Sequence, residues 1–129
     1  MRQKSRMPRL RCMADIFLKN AMYLSRSMDT VRIEAIKEAV RFNHISIQDI
    51  DWFIPHQANL RMFQNISKSL KIPFDKFYLT IHKYGNISSA SCAISLDEAV
   101  RTQCIKPGQL ICLPVFGGGL TWGSALIRW

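Results

Sequence analysis

The chain has 129 residues, and its 18 Lys and Arg against 9 Asp and Glu give a formal charge of +9. With 48% hydrophobic and 21% charged residues it has the balance of a single globular domain, able to bury about two-thirds of its unfolded surface, which excludes wholesale disorder. No run approaches the roughly 18 apolar residues of a membrane span and no apolar signal core follows the charged start, so a soluble, non-secreted, cytoplasmic protein is expected.

The charge is concentrated early: residues 1–41 carry ten basic and four acidic side chains, residues 42–129 eight and five. Arg2, Lys4, Arg6, Arg9 and Arg11, with Pro8 among them, read as a solvated basic segment over 1–28. An organelle-targeting role competes with that reading, while no RNA-binding motif or patterned basic helix supports nucleic acid as a partner. The body of the domain is expected over 29–129.

Asp29 or Thr30 is placed to cap a helix whose apolar positions are Val31, Ile33, Ala35, Ile36, Ala39 and Val40, failing near Asn43. After a turn at Ser46 to Asp49, Ile50 to Ile54 reads as a short buried strand stopped by Pro55. A second helix is expected from Gln57 to Leu70, with Ala58, Met62, Ile66 and Leu70 on one stripe and Arg61, Lys68 and Lys71 on another. Phe77 to Ile81 is aromatic and β-branched and predicts a strand, followed by a loop over His82 to Asn86. Ser88 to Thr102 predicts a helix whose small first turn suits close packing in the interior. Leu110 to Phe116 and Leu120 to Trp129 then predict a hairpin around Gly117, Gly118 and Gly119. The order α-β-α-β-α-β-β is an α/β pattern.

Three segments carry possible chemistry. His56 ends a buried strand, where α/β proteins place ligand sites, and can act as a base or as a donor to a developing oxyanion; a satisfied structural histidine is the plainer reading. Asn86 can aim its amide at a carbonyl or simply cap the next helix. The glycines after Phe116 can cradle an anion with backbone N–H groups or make a tight turn. Cys12, Cys92, Cys104 and Cys112 form no Cys-x-x-Cys pair and no metal-ligand spacing, so reduced thiols and no zinc site are expected.

Taken in order, Pro55-His56-Gln57-Ala58-Asn59-Leu60-Arg61, Tyr84-Gly85-Asn86-Ile87-Ser88-Ser89-Ala90-Ser91 and the run from Phe116-Gly117-Gly118-Gly119-Leu120-Thr121-Trp122-Gly123 to Trp129 strongly resemble the C-terminal half of β-ketoacyl-acyl carrier protein synthase III. The resemblance covers about residues 45–129. Plant-type polyketide synthases share the Gly-Asn-x-Ser-Ser-Ala phrase and elongating ketoacyl synthases use two histidines, so the His-Gln-Ala-Asn and Gly-Gly-Gly-x-Thr-Trp-Gly phrases favour the type III synthase. It implies one half of a thiolase-like fold, with a mixed sheet and helices, and decarboxylative condensation of an acyl-CoA with malonyl-acyl carrier protein to start fatty acid synthesis. It implies no cofactor and no metal.

Residue by residue, the resemblance makes His56 and Asn86 the catalytic pair that holds the malonyl thioester oxygen, and Gly118 a backbone donor of a second oxyanion hole. Asn59 would contact the pantetheine arm and Phe116 would line the site. Arg61, Lys68 and Lys71 would dock the acidic acyl carrier protein. The family's nucleophile is a cysteine in an N-terminal half that these residues do not match; Cys92 reads as packing and Cys12 lies in the unmatched start. The expectation is therefore a fragment or split-gene product, inactive alone, with a bare apolar face awaiting its partner half and a homodimer as the complete assembly. The alternative is a non-catalytic carrier-protein-binding module.

Overall fold

A computed structural model describes residues 28–117 and 121–129. The basic start, with Cys12, and the site residue Gly118 lie outside the described residues. Helix α1 runs Met28–Phe42, strand β1 Trp52–Phe53, helix α2 Leu60–Leu70, helix α3 Ile81–Tyr84, helix α4 Ala90–Arg101, strand β2 Leu110–Gly117 and strand β3 Thr121–Arg128. Single 3-10 turns fill Ile47–Asp49 and Phe74–Lys76.

The described strands form one mixed sheet in the order β1-β2-β3. Residues Leu110 to Gly117 pair antiparallel with Arg128 to Thr121 across the expected hairpin. Strand β1 lies parallel to β2, and hydrogen bonds from Asp51 N to Leu110 O, Ile54 N to Cys112 O and His56 N to Pro114 O carry that alignment past the strand's end to the histidine. The apolar stretch Trp52 to Ile54 belongs to a segment covered on both faces. On one face Phe53, Leu110 and Cys112 join Ile36 of α1 and Met62, Phe63 and Ile66 of α2 in the larger core; on the other Ile54 and Ile111 meet Ala99 of α4 and Ile105.

Three expected elements change. The strand over Phe77–Ile81 reduces to one bridge, Phe77 to Phe53, followed directly by α3, so the expected loop begins as a helical turn. The reason is local: the N–H groups of Thr80 and Ile81 donate to the Gln57 side chain instead of to a neighbouring strand, and Thr80 O starts a helix by accepting from Lys83 N and Tyr84 N. Helix α2 begins three residues late, because Asn59, not Gln57, caps it, accepting at Oδ1 from Met62 N at 3.0 Å. Helix α1 is already formed at Met28, so Asp29 and Thr30, expected just before it, lie within its span.

The small first turn of α4 is also less enclosed than expected. Ser91 is buried, but Ser88, Ser89 and Ala90 are exposed. Ile94, Val115, Leu60 and Tyr84 are exposed apolar side chains of the same chain, and β3 is only half-buried along its length.

Candidate functional site

His56 sits three residues beyond the end of β1, its backbone held by Pro114 O and its ring half-buried. The ring Nδ1 lies 2.7 Å from Ser91 Oγ in the first turn of α4. Ser91 in turn donates to Ser88 O at 2.7 Å, and Ser88 N donates to Asn86 Oδ1 at 3.0 Å. Three successive hydrogen bonds thus tie His56 to Asn86, two groups thirty residues apart in sequence.

Asn86 does not cap α4. Ser89 occupies that position without a side-chain bond, and Asn86 instead closes a turn on Ser88, leaving its exposed amide NH2 as the end not used by the turn. The turn is tightly specified. Gly85 has φ +65 and ψ −154, a region essentially reserved for glycine, and Ser88 has φ +55. A clamp on α3 fixes its entry: Glu98 of α4 accepts from Lys83 Nζ at 2.6 Å and Tyr78 OH at 3.0 Å through Oε1, and from Tyr84 OH at 2.8 Å through Oε2. Those bonds, Lys83's first, hold the Glu98 carboxyl below its usual range.

Behind the histidine lies a buried polar layer that sequence reading missed. Gln57, read as the first residue of a helix, is fully buried; Nε2 donates to Pro55 O at 2.9 Å and Oε1 accepts from Thr80 N at 3.0 Å. Thr80 Oγ1 lies 2.6 Å from Ser95 Oγ, and Ser95 donates to Ser91 O. Serines at 91 and 95 are one helical turn apart, which is the available clue that their hydroxyls face one way.

Arg32 was missed as well. It is 3% exposed on α1, with its guanidinium carbon 5.3 Å from the centroid of the Phe116 ring. Burial first and the Arg32 charge second push the His56 pKa below its ordinary value, while a backbone hydrogen bond with Ser88 works in the opposite direction. The neutral ring is favoured.

The remaining candidates separate. Phe116, half-buried on β2, faces Trp122 across the hairpin. Asn59 is exposed and serves as the α2 cap. Arg61 and Lys68 are exposed two turns apart on α2, but Lys71 leaves the stripe: it sits past the helix end in the left-handed conformation and lines, with Lys37 and Arg41 of α1, a surface cleft of about 400 Å³. Burial pushes the Cys92 thiol up to about 11 and the Cys112 thiol up to about 12, the behaviour of packed, unreactive sulfur. Among the described residues no group of three His, Cys, Asp or Glu side chains could hold a metal ion, and no helix is long and apolar enough to cross a membrane.

Residues 40–129 match the family model described as 3-oxoacyl-[acyl-carrier-protein] synthase III C terminal. The β-ketoacyl-[acyl-carrier-protein] synthase III of Histophilus somni is 50% identical over 93 residues, 72% of this chain and 29% of that protein. That of Baumannia cicadellinicola is 46% identical over 116 residues, 89% of this chain and 37% of its own length. The crystal structure of 3-oxoacyl-[acyl-carrier-protein] synthase III from Aquifex aeolicus superposes with a TM-score of 0.76 at 38% identity, covering 78% of this chain and 33% of that one. The chain thus spans about a third of the length of the relatives it matches.

Proposed function

Because the chain belongs to the 3-oxoacyl-[acyl-carrier-protein] synthase III family, as its C-terminal part with a thiolase-like α/β fold, we propose that it supplies the decarboxylation half of a condensing site. In this reading His56 and Asn86 present N–H groups to the thioester oxygen of a malonyl-acyl carrier protein. Loss of carbon dioxide builds negative charge on that oxygen, and donors fixed beforehand stabilise the charge without reorganising at the moment of reaction. Phe116 walls the site, Asn59 lies where the pantetheine arm enters, and Gly118 offers a backbone donor for the acyl-transfer step. The observation that supports the reading is the hydrogen-bond chain running from His56 through Ser91 and Ser88 to Asn86, which fixes both side chains to one frame.

Condensation also needs a nucleophile to hold the acyl group between half-reactions, and the raised pKa values of Cys92 and Cys112 suit neither to that task. The test is to co-express this chain with the N-terminal remainder of a synthase III relative and assay acetoacetyl-carrier protein formation from acetyl-CoA and malonyl-carrier protein. Product is expected from the complex and none from this chain alone. His56→Ala is expected to lower the rate of the complex about 10²–10³-fold. A soluble complex that makes no product, or one indifferent to His56→Ala and Asn86→Ala, would overturn the reading.

A second reading, carrier-protein docking without catalysis, draws on the exposed Arg61 and Lys68 of α2. An acidic carrier should then bind this chain alone at low salt and release as the Debye length falls from ~10 Å at 0.1 M to ~3 Å at 1 M. Arg61→Glu is expected to weaken binding more than Lys4→Glu; equal losses would reduce the attraction to net charge.

A further inference from the structure

Helix α3 is a single turn, Ile81–Tyr84, and one turn of helix does not hold itself in water. Its first N–H groups need acceptors from outside, yet the cap residue Thr80 supplies none: it makes no side-chain cap bond, and its hydroxyl lies 2.6 Å from Ser95 Oγ. The acceptor comes from a distant segment. Gln57 Oε1 receives Thr80 N at 3.0 Å and Ile81 N at 3.2 Å, while Nε2 of the same amide donates to Pro55 O at 2.9 Å and Tyr78 O at 3.4 Å. Carbonyls only accept and N–H groups only donate, so these four partners fix which end of the amide points where.

We propose that Gln57 is a positioning residue for the condensing site, capping α3 from the chain position next to His56 and thereby setting where the turn that carries Asn86 stands. The path is continuous. Gln57 follows His56 directly, its Oε1 holds Ile81 N, Ile81 O accepts from Gly85 N at 2.9 Å, and Gly85 leads into Asn86. Gln57 is fully buried, so water does not replace these bonds. The bonds through Ser91 and Ser88 hold the Asn86 side chain; Gln57 holds the backbone from which that side chain departs.

The inference rests on the catalytic reading for its consequence, since two donors that serve one oxyanion have to be fixed in spacing before the charge develops. It also gives a reason for glutamine at this position. Asparagine offers the same donor and acceptor but is shorter by one methylene, roughly 1.5 Å, so α3 has to move toward Pro55 or give up one set of bonds. Methionine keeps the length and loses both sets.

Residual dipolar couplings of the full chain read the orientation of backbone N–H bonds in the folded state and need no substrate or partner. In Gln57→Asn the couplings of Lys83, Tyr84 and Gly85 are expected to change while those of α2, β2 and β3 stay as in the wild type; unchanged couplings in α3 overturn the inference. In the wild type a scalar coupling across the hydrogen bond from Ile81 N to Gln57 Cδ is expected, and its absence overturns the inference even if no variant folds. In the complex with the N-terminal remainder of a synthase III relative, Gln57→Asn is expected to lower kcat about 10²-fold, with KM for malonyl-carrier protein little changed, and to cost far less when Asn86 is already alanine. Gln57→Met is expected to follow the same pattern. Losses that multiply independently overturn the inference, because a merely destabilised fold lowers both backgrounds alike. Condensation that fails in the wild-type complex sinks the catalytic reading, and the couplings still decide whether Gln57 sets the turn.

Discussion

Replacing Gln57 by Ala removes one side chain that satisfies backbone groups on two separate segments. Its amide donates to Pro55 O at 2.9 Å and Tyr78 O at 3.4 Å, and its carbonyl accepts from Thr80 N at 3.0 Å and Ile81 N at 3.2 Å. Pro55 and Thr80 are fully buried residues, so at least their two groups are stranded without solvent. At about 1–3 kcal/mol for each stranded group, the loss is roughly 2–6 kcal/mol, a large share of the roughly 5–15 kcal/mol that holds a domain of this kind together. Urea denaturation followed by tryptophan fluorescence is the assay; with a slope of about 1–3 kcal/mol per molar, the midpoint is expected to fall by ~1 M or more. Gln57→Glu is the sharper companion, since it keeps an acceptor for Thr80 N and Ile81 N but turns oxygen against two carbonyls. A Gln57→Ala midpoint corresponding to a loss below ~0.5 kcal/mol, the range of ordinary surface substitutions, would refute the claim that this side chain replaces a strand neighbour.

His56 titrates below its ordinary value when folded, so the unfolded chain binds the proton first; its contribution to stability is complete above about pH 6.5 and is lost as pH falls through the lower, folded pKa. His56→Gln should flatten that part of the stability profile, and an unchanged slope would count against the burial and Arg32 effects. Gly85→Ala meets no atom within 4 Å at its new Cβ, so its expected cost of about 1–3 kcal/mol comes from backbone conformation alone, and a neutral result in denaturation would mean that the turn relaxes freely. Cys92 and Cys112 should resist alkylation at neutral pH in the folded chain and react on unfolding, as mapped by mass spectrometry; rapid native labelling of Cys92 would restore it as a nucleophile candidate.

Periodicity exposed the parts of the fold that solve a burial problem. Met62, Ile66 and Leu70 face the core as their spacing requires, and the hairpin of β2 and β3 follows from two long strand-forming runs about a glycine cluster. Phe77 to Ile81 misled because β-propensity reports fit to a half-buried surface, and these residues have one while meeting the neighbouring strand β1 at a single bridge, Phe77 to Phe53. From Thr80 on, the partner of the N–H groups is a side chain, Gln57, that no local pattern reveals. Arg32 was illegible for a related reason: a basic residue in an amphipathic helix reads as solvent-facing, and only the tertiary fold lays its guanidinium on Phe116. His56 and Asn86 were found from the wording of their motifs, whereas Ser91, noticed only for its small size, is the atom that joins them.

The two faces of the sheet are unequally filled. Among the described residues, eleven buried side chains make the cluster shared by β1, β2, α1 and α2, and four make the cluster beneath α4. Opening free energies within one molecule follow such differences, so amides of α4 should exchange with deuterium through a partial opening that leaves the α1 and α2 layer closed. His56 belongs to the tight side by its backbone and to the loose side by its ring, through Ser91. Each brief detachment of α4 therefore frees the imidazole while the strand that carries it stays put.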